Sequence, residues 1–156
     1  MKWLLAGGLL LAGVATLSKT NASARPLGLR NNNPGNLRPE PGDVYTWQGE
    51  IGVNEGYLVF DMIENGIRAA YINLRSYFKN GYNTVEKIIA RWAPSEDDND
   101  TEAYIQFVEE STGIPRDVEL VFDDDVALPI LEAIFYVESG EPVPRELIEQ
   151  GALLAL

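Results

Sequence analysis

The chain of 156 residues contains no cysteine and no histidine. The first absence excludes disulfide frameworks, thiol nucleophiles and cysteine-based zinc sites, and the second removes imidazole bases and Ser-His-Asp triads. Chemistry is left to carboxylates, hydroxyls, amides and the backbone, and no cofactor is expected. Basic residues are scarce as well. Twelve Lys and Arg against 24 Asp and Glu give a formal charge of -12, so a phosphate backbone is repelled over most of the surface and nucleic acid is not an expected partner. There is no long low-complexity tract, heptad run or repeat at solenoid spacing. What remains, 46% hydrophobic and 23% charged residues, is the composition of an ordinary packed protein.

Met1-Lys2 is a minimal basic start, and Trp3 to Leu17 is an uncharged run rich in Leu, Ala and Gly, the length of a signal-peptide apolar region. Ala22-Ser23-Ala24 supplies the small-x-small pattern of a cleavage site, so residues 1–24 are expected to direct export, with cleavage before Arg25. Retained, the same segment would be a membrane anchor, although about fifteen residues at about 1.5 Å each reach roughly 22 Å of a hydrocarbon core about 30 Å thick. Residues 25–156 then make one domain of ordinary size, exported or anchored.

Along that body, Arg25 to Pro41 is rich in Asn, Pro and Gly and reads as an irregular loop. Val44 to Phe60 reads as a hairpin with strands at Val44–Trp47 and Tyr57–Phe60. Helices follow. Asn65 is expected to cap one with Ile67, Ala70, Tyr71, Leu74 and Phe78 on one face, closed by Asn80-Gly81, and Thr84 caps a second that ends before Pro94. The run Glu96 to Asp100 is read as a solvated loop and helix cap. It lacks the sixth-position Gly and distal Glu of a calcium loop, so no metal site is expected. A third helix carries Tyr104, Ile105 and Val108, and a fourth, capped by Asp125 with Pro129 in its first turn, carries Ile130, Leu131, Ile134 and Phe135 and stops at Gly140. A short last helix starts near Pro144. The fold class is mainly α, or α+β with one small hairpin.

Glu138 stands out. It lies three residues after Phe135, four after Ile134 and seven after Leu131, so helical geometry puts a charge on an apolar face. It also lies in the last turn, where the helix dipole is negative. Both effects disfavour the ionised form and raise the pKa, as a general acid requires. A partly exposed Glu at a fraying helix end is the plain alternative.

The segments Arg30-Asn31-Asn32-Asn33-Pro34-Gly35-Asn36-Leu37-Arg38, Trp47-Gln48-Gly49, Gly66-Ile67-Arg68-Ala69, Ile88 to Pro94 and Asp98-Asn99-Asp100-Thr101 with Tyr104 resemble, in the same order, a family of phage virion-associated structural proteins linked to peptidoglycan hydrolysis. More distantly the chain is similar to bacterial glucosaminidases and lytic transglycosylases, in which a helix ends in Glu-Ser-Gly and an Asn-rich segment and a Trp-x-Gly hairpin follow. Here Glu138-Ser139-Gly140 comes last, so the resemblance implies a circularly permuted, lysozyme-like domain.

That resemblance implies that Glu138 protonates a glycosidic oxygen of peptidoglycan, at infection or at host lysis. A two-carboxylate mechanism needs a partner, for which Glu50 and Glu55 are candidates; without one, a single-Glu transglycosylase route follows. Asn36 and Arg38 can bind sugar hydroxyls or N-acetyl groups, and Trp47, Tyr57 and Tyr104 can stack on pyranose faces, although turn formation and core packing explain the same residues. Arg68 orients a carboxylate or pairs with Asp61 or Glu64. The expected partner is the glycan strand, with membrane or virion proteins as partners of residues 1–24. The alternative to an enzyme is a membrane-anchored virion component that binds peptidoglycan or partner proteins without cutting.

Overall fold

The computed structural model describes residues 25–42 and 47–156. The expected leader at 1–24 and most of the expected first strand, Val44 to Thr46, lie outside the described residues. The architecture is mainly helical with one small antiparallel hairpin, the α+β arrangement expected from sequence. In chain order it runs α1 (Leu27–Arg30), β1 (Glu50–Asn54), β2 (Tyr57–Phe60), α2 (Ile63–Lys79), α3 (Val85–Trp92), a 3-10 turn (Ser95–Asp97), α4 (Thr101–Thr112), α5 (Asp124–Ser139) and α6 (Arg145–Leu153).

The central element is α5, because it is apolar on most of its sides. Ala127, Leu128, Ile130, Leu131, Ala133, Ile134 and Phe135 are all buried, and α1, α2, α4 and α6 pack around them. A helix with so broad an apolar surface has to be wrapped rather than laid on one face. The α2 and α6 helices form the tightest pair: Gly151 lies so close to Ile67 that no Cβ fits. Arg68 Nε donates to the Leu154 carbonyl at 2.9 Å and Arg75 Nη1 to that of Ala155 at 3.1 Å, satisfying carbonyls at the end of α6. Arg68 is thus committed to the C-terminus rather than to Asp61 or Glu64. Thr84 caps α3 through the Lys87 amide (3.2 Å), as expected.

Several boundaries differ from the sequence reading. The first described strand is Glu50–Asn54; of the expected strand Val44–Trp47 only Trp47 is described, and it lies outside any strand. A two-residue turn at Glu55-Gly56, both with positive φ (53° and 84°), folds Tyr57–Phe60 back on the residues just before it, with Val53 opposite Leu58. Met62, not Asn65, occupies the cap position of α2; Asn65 is buried in the first turn and donates to Asp61 Oδ1 at 2.7 Å. The cap of α5 is Asp123, which accepts from the Val126 amide at 2.9 Å, not Asp125. Pro129 therefore sits beyond the first turn, and the helix carries on through it because the bond forgone is to the carbonyl of Asp125, an exposed residue. The Arg25–Pro41 segment is not wholly irregular, since it includes α1.

Candidate active site

Glu138 occupies the last turn of α5. The next residues fix the helix end: the single Ser139 Oγ–H is shared between the Phe135 and Glu141 carbonyls (2.5 and 3.0 Å), and Gly140 takes the left-handed conformation (φ 68°) that ends the helix. The Glu138 carboxylate is partly buried and held from two sides. Asn36 Nδ2 donates to Oε2 at 2.9 Å and to the Glu138 carbonyl at 3.1 Å, and the Tyr104 hydroxyl donates to Oε1 at 3.1 Å. Burial raises the pKa of Glu138, and this outweighs the hydrogen bonds from Asn36 and Tyr104 and the charge of Arg38, which favour ionisation. The Tyr104 phenol is pushed well above its usual range, by burial first and the Glu138 charge second. It therefore stays neutral, a fixed donor.

The Asn-rich segment delivers Asn36, and each Asn has a separate task. Asn32 and Asn36 adopt left-handed backbone (φ 52° and 49°), which asparagine tolerates better than most residues. Asn31 Oδ1 accepts from Asn54 (3.0 Å), and Asn32 Nδ2 donates to the Phe60 carbonyl (2.9 Å). Asn33, wholly buried, donates to the Leu37 and Leu58 carbonyls and accepts from the Leu37 amide, each at 2.9 Å. The loop is thus stitched to the hairpin. It also presses on the helices: a Cβ on Gly35 would meet Trp92 at 2.9 Å and Phe135 at 3.3 Å, and one on Gly66 would collide with the Asn32 carbonyl. A Cβ on Gly28 would come within 2.7 Å of Asn36 Oδ1, so α1 backs the side chain that reaches Glu138.

Two depressions flank this acid. One, of about 430 Å³, is lined by Glu138, Tyr104, Val137, Phe107, Ala103, Asn99 and Asp100. The other, of about 360 Å³, is lined by Asn36, Arg38, Trp47, Tyr77, Arg91 and Trp92 among others. The Asn36–Glu138 hydrogen bond joins them. Phe107 continues from the first into a third recess under Tyr136, with which it stacks at 5.5 Å.

The structure brings together Glu138, Asn36 and Tyr104, and puts Arg38 and Trp47 in the adjoining depression. Tyr57 lines none of the three recesses; it lies under the Arg38 guanidinium, 5.0 Å from its ring centre. Glu50 and Glu55 do not join Glu138 either. Glu50 accepts from the Trp47 amide at 3.3 Å, and Glu55 faces Arg30 at 3.8 Å. The carboxylate that shares the Glu138 depression is Asp100, which caps α4 through the Ala103 amide at 3.1 Å. Sequence reasoning did not assign Tyr77, Arg91, Trp92 or Phe107 to the site. An arginine and a tryptophan ending an amphipathic helix just before Pro94 were the available signal.

Among the described residues no cluster of acidic side chains is arranged to hold a metal ion, and no helix is long and apolar enough to cross a membrane. No protein-family model matches the chain. Protein P5 of Pseudoalteromonas phage PM2 is 40% identical over 144 residues, which span 89% of this chain and 87% of that protein. With identity at that level across nearly the whole of both chains, this phage-related protein belongs to the family of Protein P5 of phage PM2.

Proposed function

We propose that the protein is a lysozyme-like, virion-associated enzyme that cleaves the glycan strands of bacterial peptidoglycan, with Glu138 as general acid. The observation that carries this reading is the Glu138 carboxylate itself, biased toward its protonated form by burial, held by Asn36 and Tyr104, and set between recesses able to take an extended polymer. Glu138 gives its proton to the oxygen linking N-acetylmuramic acid to N-acetylglucosamine, and the bond from that oxygen to the muramic C1 breaks. The carboxylate left behind then takes the proton of the muramic C6 hydroxyl as that oxygen closes on C1. The product is a 1,6-anhydro sugar, formed without water. Asn36 and Tyr104 stabilise the carboxylate between the two transfers.

The single-acid route is favoured over hydrolysis because a second carboxylate is needed for the latter. Glu50 and Glu55 are engaged elsewhere, and Asp100 serves as a helix cap. Mass spectrometry of purified walls after digestion tests both parts. Anhydro-muropeptides from the parent protein and none from Glu138→Gln are expected. Reducing ends in place of anhydro ends would overturn the route, and no product at all from the parent would leave a non-catalytic virion component that binds the wall.

A further inference from the structure

The depression next to Asn36 is not needed to protonate a glycosidic bond, and its composition does not suit a neutral sugar alone. Trp92 and Tyr77 form an aromatic wall, their rings edge to face at 6.0 Å, and Asn73 donates to the Tyr77 hydroxyl at 3.4 Å. Arg38, Arg91 and the acidic Glu40 and Asp97 line the same space. Neither arginine forms an ion pair among the described residues. In a chain with twice as many acidic as basic residues, a recess that gathers two guanidinium groups and two carboxylates around an aromatic wall is a place for a ligand carrying both signs of charge. Arg38 leans on Tyr57, to whose hydroxyl it donates at 3.3 Å, and its charge also reaches Glu138, while Arg91 is exposed. Arg91 and Glu40 both act on the Tyr77 hydroxyl, in opposite senses, so positive and negative groups face the aromatic wall together.

We infer that this depression is a subsite for the peptide stem of the glycan strand, with stem carboxylates on Arg38 and Arg91 and the free ammonium of the stem's diamino acid toward Asp97. The inference rests on the glycan-cleaving reading above and names what the site discriminates. The stem hangs from the muramic sugar, beside the bond to be cut. A pocket that recognises it must therefore adjoin the acid, and this one does so through the Asn36–Glu138 hydrogen bond. The mixed charge of the lining matches a ligand that is itself zwitterionic.

The probe is the soluble tripeptide L-alanyl-γ-D-glutamyl-diaminopimelate, titrated by NMR into the full protein, alongside cleavage of intact walls and of strands stripped of stems by an amidase. Arg91→Gln, at an exposed position, is expected to weaken tripeptide binding roughly fivefold or more and to lower the preference for stem-bearing strands by a similar factor. Arg91→Lys recovers part of both. Equal losses on the two kinds of strand, or a tripeptide that shifts no resonance near Trp92, would overturn the subsite while leaving cleavage intact. Conversely, if the parent cuts neither substrate yet binds the tripeptide with the same dependence on Arg91, the subsite stands and the catalytic reading fails.

Discussion

Glu138→Gln keeps the shape of the side chain and removes its ability to ionise, so it isolates the free energy spent on holding a carboxylate at the end of α5. The hydrogen bonds can be remade: the new amide oxygen accepts from Asn36, its nitrogen donates to the Tyr104 oxygen, and that hydroxyl turns to the Ile134 carbonyl, 3.4 Å away. Ionisation is what changes. In the unfolded chain residue 138 titrates in the ordinary carboxylate range, whereas in the folded chain burial raises its pKa. Between those two values the unfolded state has released a proton that the folded state still holds. The parent therefore has its full stability below the ordinary range and loses some as pH rises through the folded pKa. Each pH unit of separation is worth about 1.4 kcal/mol. Burial outweighs the two hydrogen bonds and Arg38, so the sign is fixed: the parent loses stability as pH rises. Thermal melts followed by circular dichroism should show Glu138→Gln melting above the parent at pH 8 and level with it at pH 4, the gap opening as pH rises. Other carboxylates titrate in both proteins and cancel in the difference. A variant that melts lower than the parent at pH 8, or a gap that does not change with pH, would refute the desolvated-acid argument. The same variant should lose about a hundredfold or more of wall-clearing rate.

Tyr104→Phe removes a hydrogen bond that favours the ionised form of Glu138. The alkaline limb of the pH–rate profile, set by loss of the acid's proton, should move to higher pH; movement to lower pH would contradict the assigned direction. Asn33→Ala strips three backbone contacts at 2.9 Å from a fully buried position. It should cost about 2–4 kcal/mol in urea unfolding, since the Leu37 and Leu58 groups lose their partner. Gly35→Ala forces a methyl against Trp92 and Phe135 and should destabilise by about 1–3 kcal/mol, with quenched or shifted tryptophan fluorescence as a second readout.

Glu138 was legible because the period of Leu131, Ile134 and Phe135 is local, and a helix carries that period faithfully into three dimensions. The partners of Glu138 were not legible in the same way. Asn36 meets it across 102 positions, and no spacing in either segment announces the contact. The family resemblance singled out the Asn-rich segment, but its division of labour, with left-handed turns at Asn32 and Asn36 and a buried tie at Asn33, appears only once the hairpin is in place. The strand Glu50–Asn54 went unrecognised because it contains Gly52 and Asn54, poor strand formers. What decided the register was the Glu55-Gly56 turn, where an unexpected Glu takes positive φ. The α5 start moved for a related reason. Asp123, Asp124 and Asp125 are chemically equivalent caps, and only packing of Ala127 and Leu128 chooses among them.

The stitch between Asn36 and Glu138 ties an early stretch of the polypeptide to one near its C-terminus. Until the last helices have been synthesised and docked, the acid is an ordinary solvated glutamate, with an ordinary affinity for its proton. The environment of Glu138 is thus a property of the completed molecule, and partial products of translation or proteolysis that lack the Asn-rich segment or α4 carry the residue without the partners that hold it.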